Sequence, residues 1–188
     1  MGKRLSKIYT RTGDKGETGL GNGDRVAKDC ERMEAIGCVD ELNSVLGMVL
    51  SYELPESVHE CLTRIQHECF DLGGELSLPG YTMLQQSSVD RLEQELDSYN
   101  EALPALQDFI LPAGGKATAS CHLARSICRR TERRMITLSR SEKLNPVSLI
   151  YLNRLSDLLF VLARILVRLE NGQEVLWQAS AKPSSTQK

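Results

Sequence analysis

The chain has 188 residues, 41% of them hydrophobic and 26% charged, and a formal net charge of -2. That is the size of one domain with an ordinary globular composition, which excludes a mostly disordered chain and a global basic field for nucleic acid or anionic lipid. No apolar run approaches the roughly 18 residues of a membrane helix, and the N-terminal MGKRLSKIYTRTGDKG lacks a signal-peptide core. A soluble, cytoplasmic protein is expected.

Residues 10–25 (TRTGDKGETGLGNGDR) hold five glycines and almost nothing apolar, so they read as an irregular loop rather than a helix or strand. A first helix is predicted from about Asp29 to Tyr52, with Ile36, Leu42, Leu46, Val49 and Leu50 inward and Pro55 ending the connection. A second places Val58, Leu62, Ile65, Cys69, Leu72 and Leu76 on one face and breaks at Pro79 and Gly80. Ser87 with Asp90 resembles a capping box opening a short third helix with Val89, Leu92, Leu96 and Tyr99. After a loop from Pro104 to Gly115, a fourth helix runs from about Lys116 to Ser139. Its stripe of Ala117, Cys121, Ala124, Cys128, Thr131, Met135 and Leu138 would let neighbours approach closely, and His122, Arg125, Arg129, Glu132 and Arg133 lie on another face. The last helix starts with Asn145 as N-cap and Pro146 at its first position, and continues through Ile150, Leu155, Leu158, Leu162, Ile165 and Leu169 to Gly172 as C-terminal cap. Residues 178–188 read as a disordered polar tail, leaving one domain over 1–177. The fold class is all-α, an up-and-down bundle of five helices.

Three features exceed what a plain bundle needs. Thr10, Thr12, Gly13, Asp14, Lys15, Gly16 and Thr18 could turn backbone N–H groups and side-chain donors toward one anion, although no Walker A or G-x-G-x-x-G pattern fits and a plain flexible loop explains the composition as well. Arg125 to Arg134 contains five arginines and one glutamate, which suits a polyphosphate, or else a solvated face. Asp40, Glu41, Asn153, Arg154 and Asp157 interrupt apolar helices, as buried pairs or as exposed faces. Cys30, Cys38, Cys61, Cys69, Cys121 and Cys128 show no metal-ligand spacing and are expected to pack. The single E-x-x-H, Glu56 to His59, is too little for a di-iron site.

The segments KIYTRTGDKGETGL, VDELNSVLG, FILPAGGKATASCHLARSICRRTERR and YLNRLSDLLFVLAR resemble, in order from Lys7 to Glu174, the trimeric ATP-dependent corrinoid adenosyltransferases. The resemblance implies a ferritin-like five-helix bundle, homotrimeric, with ATP and corrinoid between subunits. It implies transfer of the 5′-deoxyadenosyl group of ATP to Co(I) of cobalamin through a four-coordinate Co(II) intermediate, releasing triphosphate. The head, about residues 8–28, would fold over the triphosphate through Thr10, Arg11, Thr12, Gly13, Thr18, Gly19 and Lys28. Arg129, Arg130, Glu132 and Arg133 would serve the nucleotide, with Glu132 near its Mg2+, and Asn153 would add a further nucleotide contact. Asp40 and Arg125 would pair across the subunit interface, and Phe109 would lie beneath the corrin ring. An electron-donating reductase and an adenosylcobalamin-dependent acceptor enzyme are the implied partners, with neither nucleic acid nor membrane. The competing readings are a non-catalytic carrier or regulator of ATP or adenosylcobalamin, and an arginine-rich protein-interaction bundle.

Overall fold

The computed structural model describes Tyr9 and residues 11–178. It contains five helices: α1 (Glu31–Leu50), α2 (Glu56–Ser77), α3 (Gln86–Glu101), α4 (Lys116–Leu138) and α5 (Pro146–Leu169). Before them stand two short strands, β1 (Glu17–Gly19) and β2 (Arg25–Ala27). Thr10, Lys7 and Ile8 of the first motif, and residues 179–188 of the expected tail, lie outside the described residues.

Cross-helix bonds give the directions. Thr131 Oγ1 lies 3.0 Å from the Cys38 carbonyl, and Ser141 bonds Glu31, so α1 and α4 run antiparallel. Cys121 and Cys128 each place Sγ 3.2 Å from carbonyls of Leu159 and Leu152, so α4 and α5 are antiparallel as well. Gln66 donates to the Asn43 carbonyl and Arg32 to that of Leu76, setting α2 against α1. Tyr151 donates to Glu68 at 2.7 Å, which closes α2 onto α5. Helix α3 packs on α5 in the same direction, with Arg154 to Glu93 at 2.6 Å, and reaches α2 through the ion pair of Arg64 with Glu95. The helices alternate up and down along the chain, four of them ringing the core and α3 leaning on α5.

The predicted inward faces form that core. All six apolar residues singled out on α2 are buried, as is the whole α4 stripe. On α5, Leu155, Leu158 and Leu162 are buried, but Leu169 is exposed at the last turn and Ile150 is exposed because Ser148, Tyr151 and Leu152 take the inward face at its level. Asn145 caps α5 as expected, accepting from the Val147 N–H at 3.1 Å. At its other end Asn171, not Gly172, takes the left-handed conformation (φ 55°), while the Gly172 N–H bonds the Val167 carbonyl at 2.8 Å. The capping box fails: Gln85 precedes α3, with no side-chain cap, and Ser87 falls inside the first turn. The head is also more ordered than its composition suggests. Glu17–Gly19 pairs antiparallel with Arg25–Ala27, Thr18 opposite Val26, around a turn with Gly23 at φ 94°.

Glu75 is the buried polar centre at the end of the bundle that carries the head. Its carboxylate accepts from the backbone N–H groups of Met83 and Leu84, from Asn145 at 2.9 Å and from Ser148 at 2.6 Å. Glu75→Ala would leave four donors without their acceptor. We expect it to lower unfolding free energy by about 3 kcal/mol in urea titrations, against about 0.5 kcal/mol or less for exposed Glu53→Ala.

Candidate functional site

The head is tied down by groups the sequence did not single out. The Gly21 N–H donates to the Ser77 carbonyl at 2.7 Å, anchoring the hairpin to the end of α2. Arg25 pairs with Glu17 at 3.2 Å and donates to the Thr12 carbonyl at 2.8 Å. The Lys28 N–H bonds the Gly16 carbonyl, and its ammonium lies where a side chain on residue 13 would stand, 3.1 Å from the Cβ position. Gly13 therefore makes room for Lys28. Arg11 has φ 58° and stacks over Tyr9, with 5.4 Å to the ring centroid; Thr18 and Gly19 lie in β1. Tyr9 apart, these residues gather several donors on one exposed hairpin.

The arginines of α4 divide into two sets. Arg130 pairs with Glu41 of α1, and Arg134 stands 3.9 Å from Glu34. Arg125, Arg129 and Arg133, at successive i,i+4 positions on one face, have no carboxylate among the described residues within ion-pair distance. Arg133 donates to the Arg129 carbonyl at 3.2 Å, and Arg125 lies 6.0 Å over the ring of Phe160 with its Nε buried and unpartnered. Arg125 and Arg129 share a 240 Å³ cavity with Leu106, Asp157, Phe160 and Arg164; Arg130, Arg133, Arg134 and Thr137 line another of 310 Å³. A 590 Å³ cavity beside Arg32, Tyr81 and Glu142 contains none of the predicted residues, and Arg32 and Glu142 there already pair with each other.

Glu132 accepts from Asn153 at 3.1 Å, bringing those two predicted residues together across α4 and α5. Among the described residues no cluster of three His, Cys, Asp or Glu could hold a metal alone. A lone carboxylate beside arginines nevertheless fits a Mg2+ that arrives with phosphate oxygens. Asp40 is exposed on α1 and makes no ion pair with Arg125 within the chain. His122, expected on the polar face, is instead buried, with Nδ1 unpartnered. Burial, and then the Arg125 cation, lower its pKa. The cysteines are free, and burial pushes the thiols of Cys61, Cys69 and Cys121 up to about 12.

Phe109 is not a core residue. It is 77% exposed and packs edge-on against Trp177, with ring centroids 6.3 Å apart. Residues 109–111 and 175–177 run antiparallel, joined by Trp177 N–H to the Phe109 carbonyl at 2.7 Å and Leu111 N–H to the Val175 carbonyl at 2.8 Å. The end of α5 supports both sides. Glu170 caps the N-terminus of α4 by accepting from Ala117 N–H at 3.0 Å and Thr118 N–H at 3.3 Å. A side chain on Gly115 would collide with that carboxylate, which explains the second glycine of FILPAGG. Glu174 accepts from Arg164 at 2.6 Å and Arg168 at 3.0 Å. Trp177 and the Arg164–Glu174 pair went unnoticed in the sequence; the only signal was that the familial segment extends past α5 to Glu174.

An exposed aromatic pair thus stands at one end of α4, a glycine-rich hairpin at the other end of the bundle, and an open cationic row lies along α4 between them. The chain belongs to the cobalamin adenosyltransferase family, whose model matches residues 8–166. It is 56% identical over 179 residues to a cobalamin adenosyltransferase of Cupriavidus metallidurans, covering 95% of this chain and 97% of that protein. It is 43% identical over 182 residues to a corrinoid adenosyltransferase of Bacillus subtilis, with 93% and 94% covered. Its fold superimposes with TM-score 0.88 on a PduO-type ATP:corrinoid adenosyltransferase from Lactobacillus reuteri, a Phe-to-Ala variant complexed with cobalamin and ATP; the sequences are 36% identical, and 92% of this chain and 100% of that one are covered.

Burial raises the pKa of Glu174, but hydrogen bonds from Arg168 and Arg164 and their charges outweigh it, and the net shift is downward. A depressed carboxylate stabilises the fold fully above its unfolded value, roughly 4.3, and loses that contribution as pH falls through the folded value. Trp177 is the chain's single tryptophan. Its fluorescence should therefore stay constant from neutral pH to about 5 and change only below the ordinary carboxylate range; a transition centred near neutrality would contradict the assigned ion pair.

Proposed function

We propose that this chain is an ATP:cob(I)alamin adenosyltransferase. Co(I) of the corrinoid attacks C5′ of ATP, a cobalt–carbon bond forms, the C5′–O bond breaks, and triphosphate departs with its electron pair. The observation that carries the reading is the pair Arg129 and Arg133 on the exposed face of α4, each without a carboxylate partner among the described residues, with Arg125 one turn nearer Phe109. Four helical residues span about 6 Å, the scale of a triphosphate.

Co(I) is itself a strong nucleophile, so the protein's task is alignment and stabilisation of the leaving group. Thr10, Arg11, Thr12, Gly13, Thr18, Gly19 and Lys28 would cover the triphosphate from the head, and Arg129, Arg130 and Arg133 would bind it from α4. Arg130 enters that set only by exchanging Glu41 for phosphate. Glu132, oriented by Asn153, would meet the Mg2+ carried by ATP. Phe109 would occupy the lower axial face of the corrin and exclude water and the cofactor's own base, which favours four-coordinate Co(II) and eases its reduction by a partner reductase. Product could then pass to an adenosylcobalamin-dependent enzyme.

The site is incomplete in one chain. Asp40 points outward and the buried Arg125 Nε lacks an acceptor, which supports a homotrimer in which Asp40 of one subunit meets Arg125 of the next. Exposed Met48, Leu123 and Ile136 on α1 and α4 suit such an interface. No helix among the described residues is long and apolar enough to cross a membrane, and free, buried thiols suit a reducing cytoplasm.

The test is an anaerobic absorbance time course with Mg-ATP and chemically reduced cob(I)alamin. Light-sensitive adenosylcobalamin with one triphosphate per turnover is expected; binding of both without cobalt–carbon bond formation would make the protein a carrier. Arg129→Ala should raise KM for ATP roughly tenfold or more, because it removes a charge-assisted contact. Phe109→Ala should slow turnover from Co(II) at least about tenfold while sparing prereduced Co(I). Equal losses from both oxidation states would remove Phe109 from the corrin face.

A further inference from the structure

Phe109 is held in place without the means that normally hold a phenylalanine. Its ring has no core around it, and it sits in the long connection, residues 102–115, between α3 and α4. A loop of that length samples many conformations unless its backbone is tied. The ties converge on one side chain. Arg164, on α5, is 3% exposed. Its Nη2 donates to the Pro104 carbonyl at 2.7 Å, at the start of the loop, and its Nε to Glu174 at 2.6 Å, just before the strand that carries Trp177. Arg168 reinforces the same Glu174 oxygen at 3.0 Å and itself donates to the Arg164 carbonyl at 2.6 Å. One planar guanidinium therefore spans the two segments whose bridge presents the aromatic pair.

We propose that Arg164 is a positioning residue for the reaction, fixing the Phe109–Trp177 pair by holding the Pro104 carbonyl and the Glu174 carboxylate on one buried fork. This rests on the reading of Phe109 at the corrin face. The geometry demands arginine rather than any cation: a carbonyl and a carboxylate must be bonded in different directions from one plane, which a lysine ammonium on a flexible stem does less well. A displaced ring readmits a lower axial ligand to cobalt, and such a ligand hinders reduction of Co(II) without impeding attack by preformed Co(I). A misplacement near 1 Å is enough to cost up to roughly a hundredfold in a step that depends on geometry.

The experiment compares Arg164→Met, Arg164→Lys, Glu174→Gln and Phe109→Ala in the full chain. In the ligand-free protein, acrylamide quenching and anisotropy of Trp177 report the bridge directly, since no other tryptophan is present. With Mg-ATP, turnover is measured from cob(II)alamin plus a chemical reductant and from prereduced cob(I)alamin, and electron paramagnetic resonance gives the amplitude of four-coordinate Co(II). Arg164→Met should increase quenching of Trp177, reduce the four-coordinate signal and lower the Co(II)/Co(I) turnover ratio by roughly tenfold or more, with KM for ATP unchanged. Arg164→Lys should fall between it and the parent protein. Glu174→Gln, which removes only the charge, should shift all three readouts in the same direction, and decides the matter if Arg164→Met does not fold. A Phe109→Ala protein that shows the split beside Arg164 and Glu174 variants that do not would overturn the role of Arg164 alone. A Phe109→Ala protein without the split would overturn the corrin-face reading and this role with it, whatever Trp177 does.

Discussion

Everything in this chain is arranged around the seam of small residues on α4. Cys121, Cys128 and Thr131 bring the backbones of α5 and α1 within reach of their Sγ and Oγ1 atoms, and Ala117 and Ala124 are buried on the same seam. Larger side chains there would push the two neighbours apart. Because α4 is gripped on both sides, its rotation about its own axis is fixed, and the exposed arginine face is fixed with it. The packing of apolar atoms thereby sets where cations stand.

The electrostatics of that face follow from which arginines are already neutralised. Arg130 and Arg134 look toward the carboxylates Glu41 and Glu34 of α1, so they share the cost of the charge run within the fold. Arg125, Arg129 and Arg133 do not, and adjacent like charges at i,i+4 oppose the helix. On the proposed function that repulsion is offset on binding, the triphosphate meeting Arg129 and Arg133 while Asp40 of a neighbouring subunit meets Arg125. His122 shows the same field from inside: buried beside Arg125, its imidazole is pushed toward the neutral form, which spares α4 a further positive charge.

What the sequence disclosed and what it hid divide along physical lines. Period-3.6 patterns, the Asn145–Pro146 start of α5 and the buried stripe of α4 are local, and each was legible in the sequence. The β1–β2 hairpin was not, because three-residue strands show no alternation and their pairing depends on Arg25 and Gly23. Ser87 misled because a capping sequence is only an opportunity, and here the chain enters α3 two residues earlier. His122 shares the arginine spacing yet is buried, since Phe160 of α5 covers it, at 6.4 Å between rings. The support of Phe109 joins residues far apart in the chain, Pro104 to Arg164 and Gly115 to Glu170, and no local pattern announces such pairs. Motif resemblance reached Phe109 all the same, but as a position in a familiar string rather than as an exposed ring on a tethered bridge.

On the proposed chemistry, the nucleophile comes with the substrate, and this explains how the molecule distributes its rigidity. An enzyme relying on a general base must tune a proton affinity; here the buried thiols are driven to about 12 by desolvation and serve as packing atoms. What must be controlled is the space below cobalt and the position of a triphosphate. The segments proposed for the two tasks sit at opposite ends of one chain's bundle, as a site shared between subunits requires, and are built differently. The segment proposed to cover the triphosphate is a glycine-rich hairpin anchored to the end of α2 at Ser77. The segment proposed to face the corrin sets two aromatic rings on a short strand pair and pins it through Arg164 to α5, the most apolar helix of the core. On the proposed chemistry a wall that excludes a ligand must not move, and the ties of the aromatic pair to Pro104 and Glu174 through Arg164 meet that requirement.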